Sequence, residues 1–453
     1  MRVNPEIFRE YDIRGKVAED LGVELVEDIG RAYATAVRKK GLKRVTCGRD
    51  GRTHSLWLQQ ALIRGILSAG CDVVDIGECP TPLLYFSIFH LESHGGVEVT
   101  GSHNPSEFNG FKMCIGTSTL YGPEIRALRD TIESGTFSSG RGSAEQYAIA
   151  GPYLEYMRGQ IRMRRPLKVV VDAGNGVAGP VALAAFEDLG CEVTPLYCDV
   201  DGTFPNHHPD PTVPGNLADL RAKVKEKGAD IGIAYDGDGD RLGAVDEKGQ
   251  ILFGDQLLMI FARDILKDHP GAAIIGEVKC SHVMYEDIVR NGGRPIMWKT
   301  GHSLIKKKMR DEKALLAGEM SGHLFFADRY FGYDDGIYAS LRLAEIISSG
   351  DRPLSAFLEG VPETFSTAEI RIECPDEKKF AVAEEAKKWF SERFETIDVD
   401  GVRVVFDDGW GLIRASNTQP VLVLRFEAST RERLAEIRGF MEGRLKEIVD
   451  AMG

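Results

Sequence analysis

One pattern recurs three times in this chain: an apolar run, a polar turn, an amphipathic stretch, a glycine, and a second apolar run. The first copy is Arg44-Val-Thr-Cys-Gly-Arg-Asp50, a helical stretch from Ser55 to Ala69, Gly70, and Cys71-Asp-Val-Val-Asp-Ile76. The second is Leu167-Lys-Val-Val-Val-Asp-Ala-Gly174, a helical stretch to Leu189, Gly190, and Cys191-Glu-Val-Thr194. The third is Ala272-Ala-Ile-Ile-Gly276, a helical stretch from about Ser281 to Arg290, Gly292-Gly293, and Arg294-Pro-Ile-Met-Trp298. Strand, helix, glycine stop and strand at this spacing form a βαβ unit. Such a unit crosses over right-handed and builds a largely parallel sheet. Ser55 is placed to cap its helix. Three copies predict three similar α/β domains, covering 1–148, 149–250 and 251–362.

After Glu359-Gly-Val-Pro-Glu363, which reads as a linker, the pattern changes. A strand is expected over Thr367 to Glu373, a helix over Glu377 to Phe394, and strands over Val402–Phe406 and Val421–Phe426. A charged helix from Arg431 to about Val449 follows. This is a smaller α+β domain, 363–453. At 453 residues the chain is too long for one core, in keeping with several domains.

The net charge of −13 argues against a nucleic acid or an anionic membrane held by bulk charge. It leaves room for a small anion bound by a local cluster of Arg and Lys. No apolar run approaches transmembrane length, and the charged first ten residues lack a signal-peptide core, so a cytoplasmic protein is expected. The eight cysteines are scattered without a Cys-x-x-Cys pair and read as reduced, mostly buried thiols.

Each repeated unit leads into a loop rich in functional groups. In Thr100-Gly-Ser-His-Asn-Pro105 a strand ends, because the proline has no N–H to give, and Ser102 is displayed beside the imidazole of His103. Asp236-Gly-Asp-Gly-Asp-Arg241 sets three carboxylates at alternate positions, with glycines that let the backbone wrap a hard cation. An EF-hand reading fails, since its sixth position requires glycine and holds Arg241, and the flanks read as strands. Three protein carboxylates leave positions open on Mg²⁺, which suits a catalytic ion. In Gly318-Glu-Met-Ser-Gly-His323, Glu319 and Ser321 offer polar groups, and Glu319 can accept from adjacent sugar hydroxyls. In the last domain, Arg414-Ala-Ser-Asn-Thr-Gln-Pro420 combines the Arg414 fork with Ser416, Asn417 and Thr418, equipment suited to a phosphate dianion.

Together these loops resemble the α-D-phosphohexomutase superfamily, most closely its bacterial phosphomannomutase/phosphoglucomutase branch, over essentially the whole chain. Phe8 to Gly15, Asn109-Gly-Phe-Lys112 and Thr300-Gly-His-Ser303 match as well. The resemblance implies four domains around a central cleft, three similar α/β domains with mixed sheets and an α+β C-terminal domain, each giving one loop. It implies a phosphoserine at Ser102, with Mg²⁺ between it and Asp236, Asp238 and Asp240. It implies transfer between hexose 1- and 6-phosphates of mannose or glucose, through a hexose 1,6-bisphosphate that also serves as activator. Arg241 would neutralise charge. Lys112, His302 and Arg14 are candidate proton-transfer groups, left unranked. Tyr11, Lys279 and His323 line the family's cleft, and Glu319 and Ser321 hold sugar O3 and O4, which glucose and mannose share. A monomer acting on hexose phosphates is expected. The rival readings are a sugar-phosphate phosphatase and a non-catalytic sugar-phosphate binding protein.

Overall fold

The computed structural model describes residues 3–417 and 419–452. Four sheets are present among the described residues, and three share one strand order. In the first sheet the order runs Asp72–Glu78, Arg44–Arg49, Gly95–Val99, Phe108–Ile115. In the second it runs Glu192–Leu196, Lys168–Asp172, Ile231–Tyr235, Leu242–Asp246. In the third it runs Arg294–Trp298, Ala273–Glu277, Leu316–Gly318, Leu324–Phe326. In each case the first three strands are parallel and the fourth is antiparallel. The sheets are therefore mixed, and the expectation of largely parallel sheets holds only for the βαβ part.

The reversal positions the chemistry. The turn between the third and fourth strands is the Ser102 loop in the first sheet, the Asp236–Arg241 turn in the second, and the Glu319–His323 turn in the third. One repeated unit thus delivers three different side-chain sets to the same topological place.

The last sheet is antiparallel, with order Phe365–Ser366, Val421–Ala428, Gly409–Ala415, Val402–Phe406, Thr396–Ile397. The helices Asp376–Ser391 and Arg431–Ala451 pack against it around Phe390, Phe426 and Met441. The single strand expected over 367–373 is split into Phe365–Ser366 and Ile370–Glu373, both paired to Val421–Ala428. Ser55 does not cap its helix. It is the first helical residue, and its hydroxyl is spent in a short hydrogen bond to Asp50 Oδ1.

The second and third domains share one core with part of the first, in which Phe86, Tyr153, Tyr330 and Tyr338 meet. All eight cysteines are free thiols, seven of them buried. No described helix is long and apolar enough to cross a membrane.

Candidate active site

Ser102 sits in the left-handed region at φ 47° and is 2 % exposed. Its loop is clamped from beneath. Gly101 N–H donates to Asp50 Oδ2 at 3.0 Å, and buried Arg52 donates to the carbonyls of Ser102, Asn104, Pro105 and Phe108. Arg52 was not anticipated from sequence. It follows the first polar turn, where nothing separates a structural arginine from a solvated one.

Ser102 Oγ donates to Asp236 Oδ2 at 3.0 Å and lies 3.0 Å from His103 Nδ1. Gly237 makes this approach possible, because a Cβ there would lie 2.5 Å from the Ser102 carbonyl oxygen. Asp236, Asp238 and Asp240 are fully buried, each with an oxygen in a cluster no wider than 4.8 Å. Asp238 Oδ2 accepts from Lys112 Nζ at 2.6 Å, Thr81 Oγ1 at 2.6 Å and Thr100 Oγ1 at 3.1 Å. Lys112 Nζ also donates to Asp240 Oδ2 at 2.5 Å. Burial favours the neutral forms of Asp238 and Lys112, but their attraction outweighs it and holds both charged. Burial and the adjacent Asp238 and Asp240 instead push Asp236 well up.

This arrangement fits a cation. Asp238 Oδ1 and Asp240 Oδ1 are buried without a hydrogen-bond partner, and the repulsion raising Asp236 is of the kind a bound ion relieves. Oxygen-only donors suit a hard divalent metal. These three carboxylates lie close enough together to hold a metal ion.

Basic groups surround the cluster. Arg241 donates from its backbone N–H to Asp236 Oδ1 at 3.2 Å and from Nε to His323 Nε2 at 3.0 Å. His323 Nδ1 lies 3.0 Å from buried Asp334 Oδ2, and Lys306 Nζ donates to Asp334 Oδ1 at 3.0 Å. Neither Asp334 nor Lys306 was singled out from sequence. Asp334 stands beside Asp335, the cap of the helix Gly336–Ser348, and the pair reads as capping chemistry. His302 opens the helix His302–Glu312, and its ring stacks on that of His323 at 5.7 Å. Burial and then Lys306 keep His302 neutral, while burial, Arg241 and Arg14 do the same for His103. Arg14 donates to Asn104 Oδ1 at 3.0 Å and to Asp12 Oδ2 at 2.5 Å.

The remaining predicted residues form a second cluster. Glu319 Oε1 accepts from Gly301 N–H at 2.5 Å, and Ser321 Oγ donates to Glu319 Oε2 at 3.3 Å. Lys279 Nζ reaches Glu369 Oε2 at 3.2 Å, and Arg414 Nε reaches Asp400 Oδ2 at 2.9 Å. Ser416 Oγ accepts from Gln419 N–H at 3.1 Å. Tyr11 joins the clusters: its ring is 6.1 Å from that of His302, its hydroxyl donates to Thr300 O at 2.8 Å, and it accepts from Asn417 Nδ2 at 2.7 Å. Thr418 lies outside the described residues.

A buried serine hydroxyl beside a carboxylate cluster able to hold a metal ion, lined by cations and facing a second set of polar groups, sits where four domains meet. That fold and site define an isomerase of the hexose-phosphate mutase class. The sequence matches family models of the phosphoglucomutase/phosphomannomutase alpha/beta/alpha domains I, II and III over 5–139, 151–249 and 253–365, and of the C-terminal domain over 369–443. It is 51 % identical over 445 residues to the phosphomannomutase/phosphoglucomutase of Pseudomonas aeruginosa, spanning 98 % of this chain and 96 % of that one. It is 45 % identical over 454 residues to the phosphoglucomutase of Neisseria gonorrhoeae, spanning 99 % and 98 %. A crystal structure of a phosphoglucomutase/phosphomannomutase family protein from Burkholderia thailandensis superposes with a TM-score of 0.93 at 46 % identity, covering 99 % of this chain and 98 % of that one. The chain belongs to the phosphoglucomutase/phosphomannomutase family.

Proposed function

We propose that the protein interconverts hexose 1-phosphates and hexose 6-phosphates, of both mannose and glucose, through a phosphoserine at Ser102 and a hexose 1,6-bisphosphate. The observation that carries this reading is Ser102 Oγ held 3.0 Å from Asp236 among the buried carboxylates and Lys112. Lys112, Arg241 and a cation held by the carboxylates would neutralise a phosphoryl group on that hydroxyl, which is what phosphoryl transfer demands.

In the forward step the bond from phosphorus to Ser102 Oγ breaks and a bond to the sugar hydroxyl oxygen forms. The hydroxyl proton passes to a neighbouring base. Among the three candidates we assign that base to His302. Its ring is kept neutral, and its Nδ1 is buried without a hydrogen-bond partner. Lys112 is pinned as an ammonium between two carboxylates, and a guanidinium such as Arg14 does not deprotonate. Lys112 and Arg241 then act as charge, and His103 as a neutral neighbour of the nucleophile. A Mg²⁺ ion held by Asp236, Asp238, Asp240 and Ser102 would polarise the phosphoryl oxygens. The bisphosphate turns over in the cleft, and its other phosphate returns to Ser102 with the proton flowing back. Lys279, Arg414, Ser416, Asn417, Thr418 and Tyr11 hold the idle phosphate, while Glu319, Ser321 and His323 hold the sugar. Free hexose 1,6-bisphosphate would restore the phosphoserine when it is lost.

We place domain edges at 148, 250 and 362, and read the enzyme as a cytoplasmic monomer. Seven buried free thiols favour a reducing compartment, and the net charge of −13 disfavours self-association.

The test is kcat/KM for mannose 1-phosphate and glucose 1-phosphate side by side, with Mg²⁺ and a trace of hexose 1,6-bisphosphate. A sugar loop reading only O3 and O4 is blind to C2 and gives comparable values. A preference of about 100-fold, about 2.7 kcal/mol, would overturn dual specificity. Release of inorganic phosphate as the main product would overturn the mutase reading in favour of a phosphatase.

A further inference from the structure

Behind the reactive cluster, at the junction of the first and third domains, lies a separate cavity of about 490 Å³. That volume is in the range of small-molecule sites. Its apolar part is aromatic: Phe89 stacks on Phe331 at 4.5 Å, and Tyr85 packs on Tyr333 at 5.3 Å. Phe331 is 36 % exposed, so the aromatic wall reaches solvent. The polar part is cationic. Lys306, Arg310 and Lys313 line the cavity, and no acidic residue does. The exposed Arg310 and Lys313 side chains make no hydrogen bond or ion pair with any described residue, in a protein whose net charge is −13. A buried polar atom is also left over, since the Tyr85 hydroxyl has no hydrogen-bond partner among the described residues.

We propose that this cavity is an effector site for a flat aromatic molecule carrying an anionic group. The ring would slot against Tyr85, Phe89 and Phe331, where aromatic pairs gain beyond their buried area. The anion would meet Arg310 and Lys313 at the mouth. An occupant would be felt at the reactive cluster because the two sites share walls. The helix His302–Glu312 presents His302 to the cleft and Lys306 to the cavity. Lys306 Nζ lies 4.1 Å from the centre of the Tyr85 ring while it holds Asp334, the partner of His323. A ring seated against Tyr85 crowds the Lys306 ammonium that lies over it and disturbs its hold on Asp334, so occupancy lowers turnover without competing for the sugar phosphate.

The test uses two fluorescent probes with one ring system, 1-anilinonaphthalene-8-sulfonate and its uncharged counterpart N-phenyl-1-naphthylamine, with full-length protein. The sulfonate should bind one saturable site that hexose phosphates do not displace. The double variant Arg310→Glu with Lys313→Glu, both on the surface, should weaken the sulfonate about tenfold or more and leave the uncharged probe unmoved. Saturating sulfonate should lower kcat about fivefold with KM unchanged, and the double variant should keep its basal kcat and not respond. The proposal is overturned if no saturable site appears, if hexose phosphate displaces the probe, if charge reversal leaves its affinity intact, or if saturation leaves kcat unmoved. The fluorescence arms read binding alone, so they stand or fall independently of the substrate assignment above.

Discussion

The Arg52 guanidinium donates to the Ser102 carbonyl at 2.8 Å, and the same side chain reaches the carbonyls of Asn104 at 2.6 Å, Pro105 at 2.7 Å and Phe108 at 3.1 Å. One buried fork thereby fixes the whole turn that presents the nucleophile. Lysine keeps the charge but not the planar set of donors. Arg52→Lys should therefore lower kcat by about 10- to 100-fold while KM changes little, because the loop is misplaced and the sugar-holding groups are untouched. Steady-state kinetics on the variant checks this. An unchanged kcat would show that the clamp does not set the position of Ser102.

Lys112 and a cation held by Asp236, Asp238 and Asp240 would compete for the same carboxylates. The Lys112 ammonium takes Asp238 Oδ2 and Asp240 Oδ2, leaving Oδ1 of each without a hydrogen bond, with Asp240 Oδ1 3.5 Å from His323 Nδ1. Lys112→Met should lower kcat by about 10²- to 10³-fold through loss of charge stabilisation. It should also tighten Mg²⁺ binding by about tenfold, because the carboxylates lose their competing cation. Calorimetric titration of Mg²⁺ into the variant and the parent reads the second effect without any turnover. Weaker binding in the variant would mean that Lys112 orders the carboxylates instead of competing for them.

With His302 as the base, the acid limb of the pH–rate profile should report on it. After burial, Lys306 is the largest influence lowering its pKa, and Asp334 opposes it. Lys306→Met removes a repelling charge and leaves Asp334 without its ammonium partner, so both changes raise the His302 pKa. The protonated fraction at a given pH rises, and activity on the acid side should be lost at a higher pH than in the parent. Profiles of kcat for the two proteins test this. A limb that stays in place would assign the proton to another group.

Glu98 offers a stability test that needs no turnover. It faces Lys112 across the strand pair, yet both carboxyl oxygens are buried without a hydrogen-bond partner. Burial, then the charges of Asp50 and Asp238, push its pKa well up. A raised carboxyl favours folding fully only below its unfolded value, and that contribution is lost as pH rises toward the raised one. Glu98→Gln is neutral at every pH. Its Tm should exceed that of the parent by a gap that widens from about pH 5 to about pH 8. A constant or reversed gap in thermal melts would show that Glu98 is ionised in the fold.

Much of this was legible in the sequence. The βαβ pattern located the strands Arg44–Arg49, Lys168–Asp172 and Ala273–Glu277 and their parallel partners Asp72–Glu78, Glu192–Leu196 and Arg294–Trp298, because glycine stops and apolar runs are local signals. The antiparallel fourth strand was not legible, since a reversal after the third strand depends on tertiary pairing. The strand Gly409–Ala415 was equally obscure, because glycine is a poor strand former. In the fold its glycines are packing sites, where a Cβ on Gly411 would lie 2.2 Å from Met441 Sδ. The site loops stood out because their residue types are unusual together. Arg52, Lys306 and Asp334 did not, because their roles arise from neighbours distant in sequence, such as Phe108, Asp334 and His323 respectively.

The central claim is that Ser102 carries the phosphoryl group in transit. It is tested most directly by loading the enzyme with labelled phosphate, mapping the label by peptide mass spectrometry, and following it through a single turnover with unlabelled hexose 1-phosphate. The account predicts label on Ser102, its appearance in hexose 1,6-bisphosphate and then in hexose 6-phosphate, and no labelling of Ser102→Ala. Label on another residue, or its passage directly to inorganic phosphate, would contradict it.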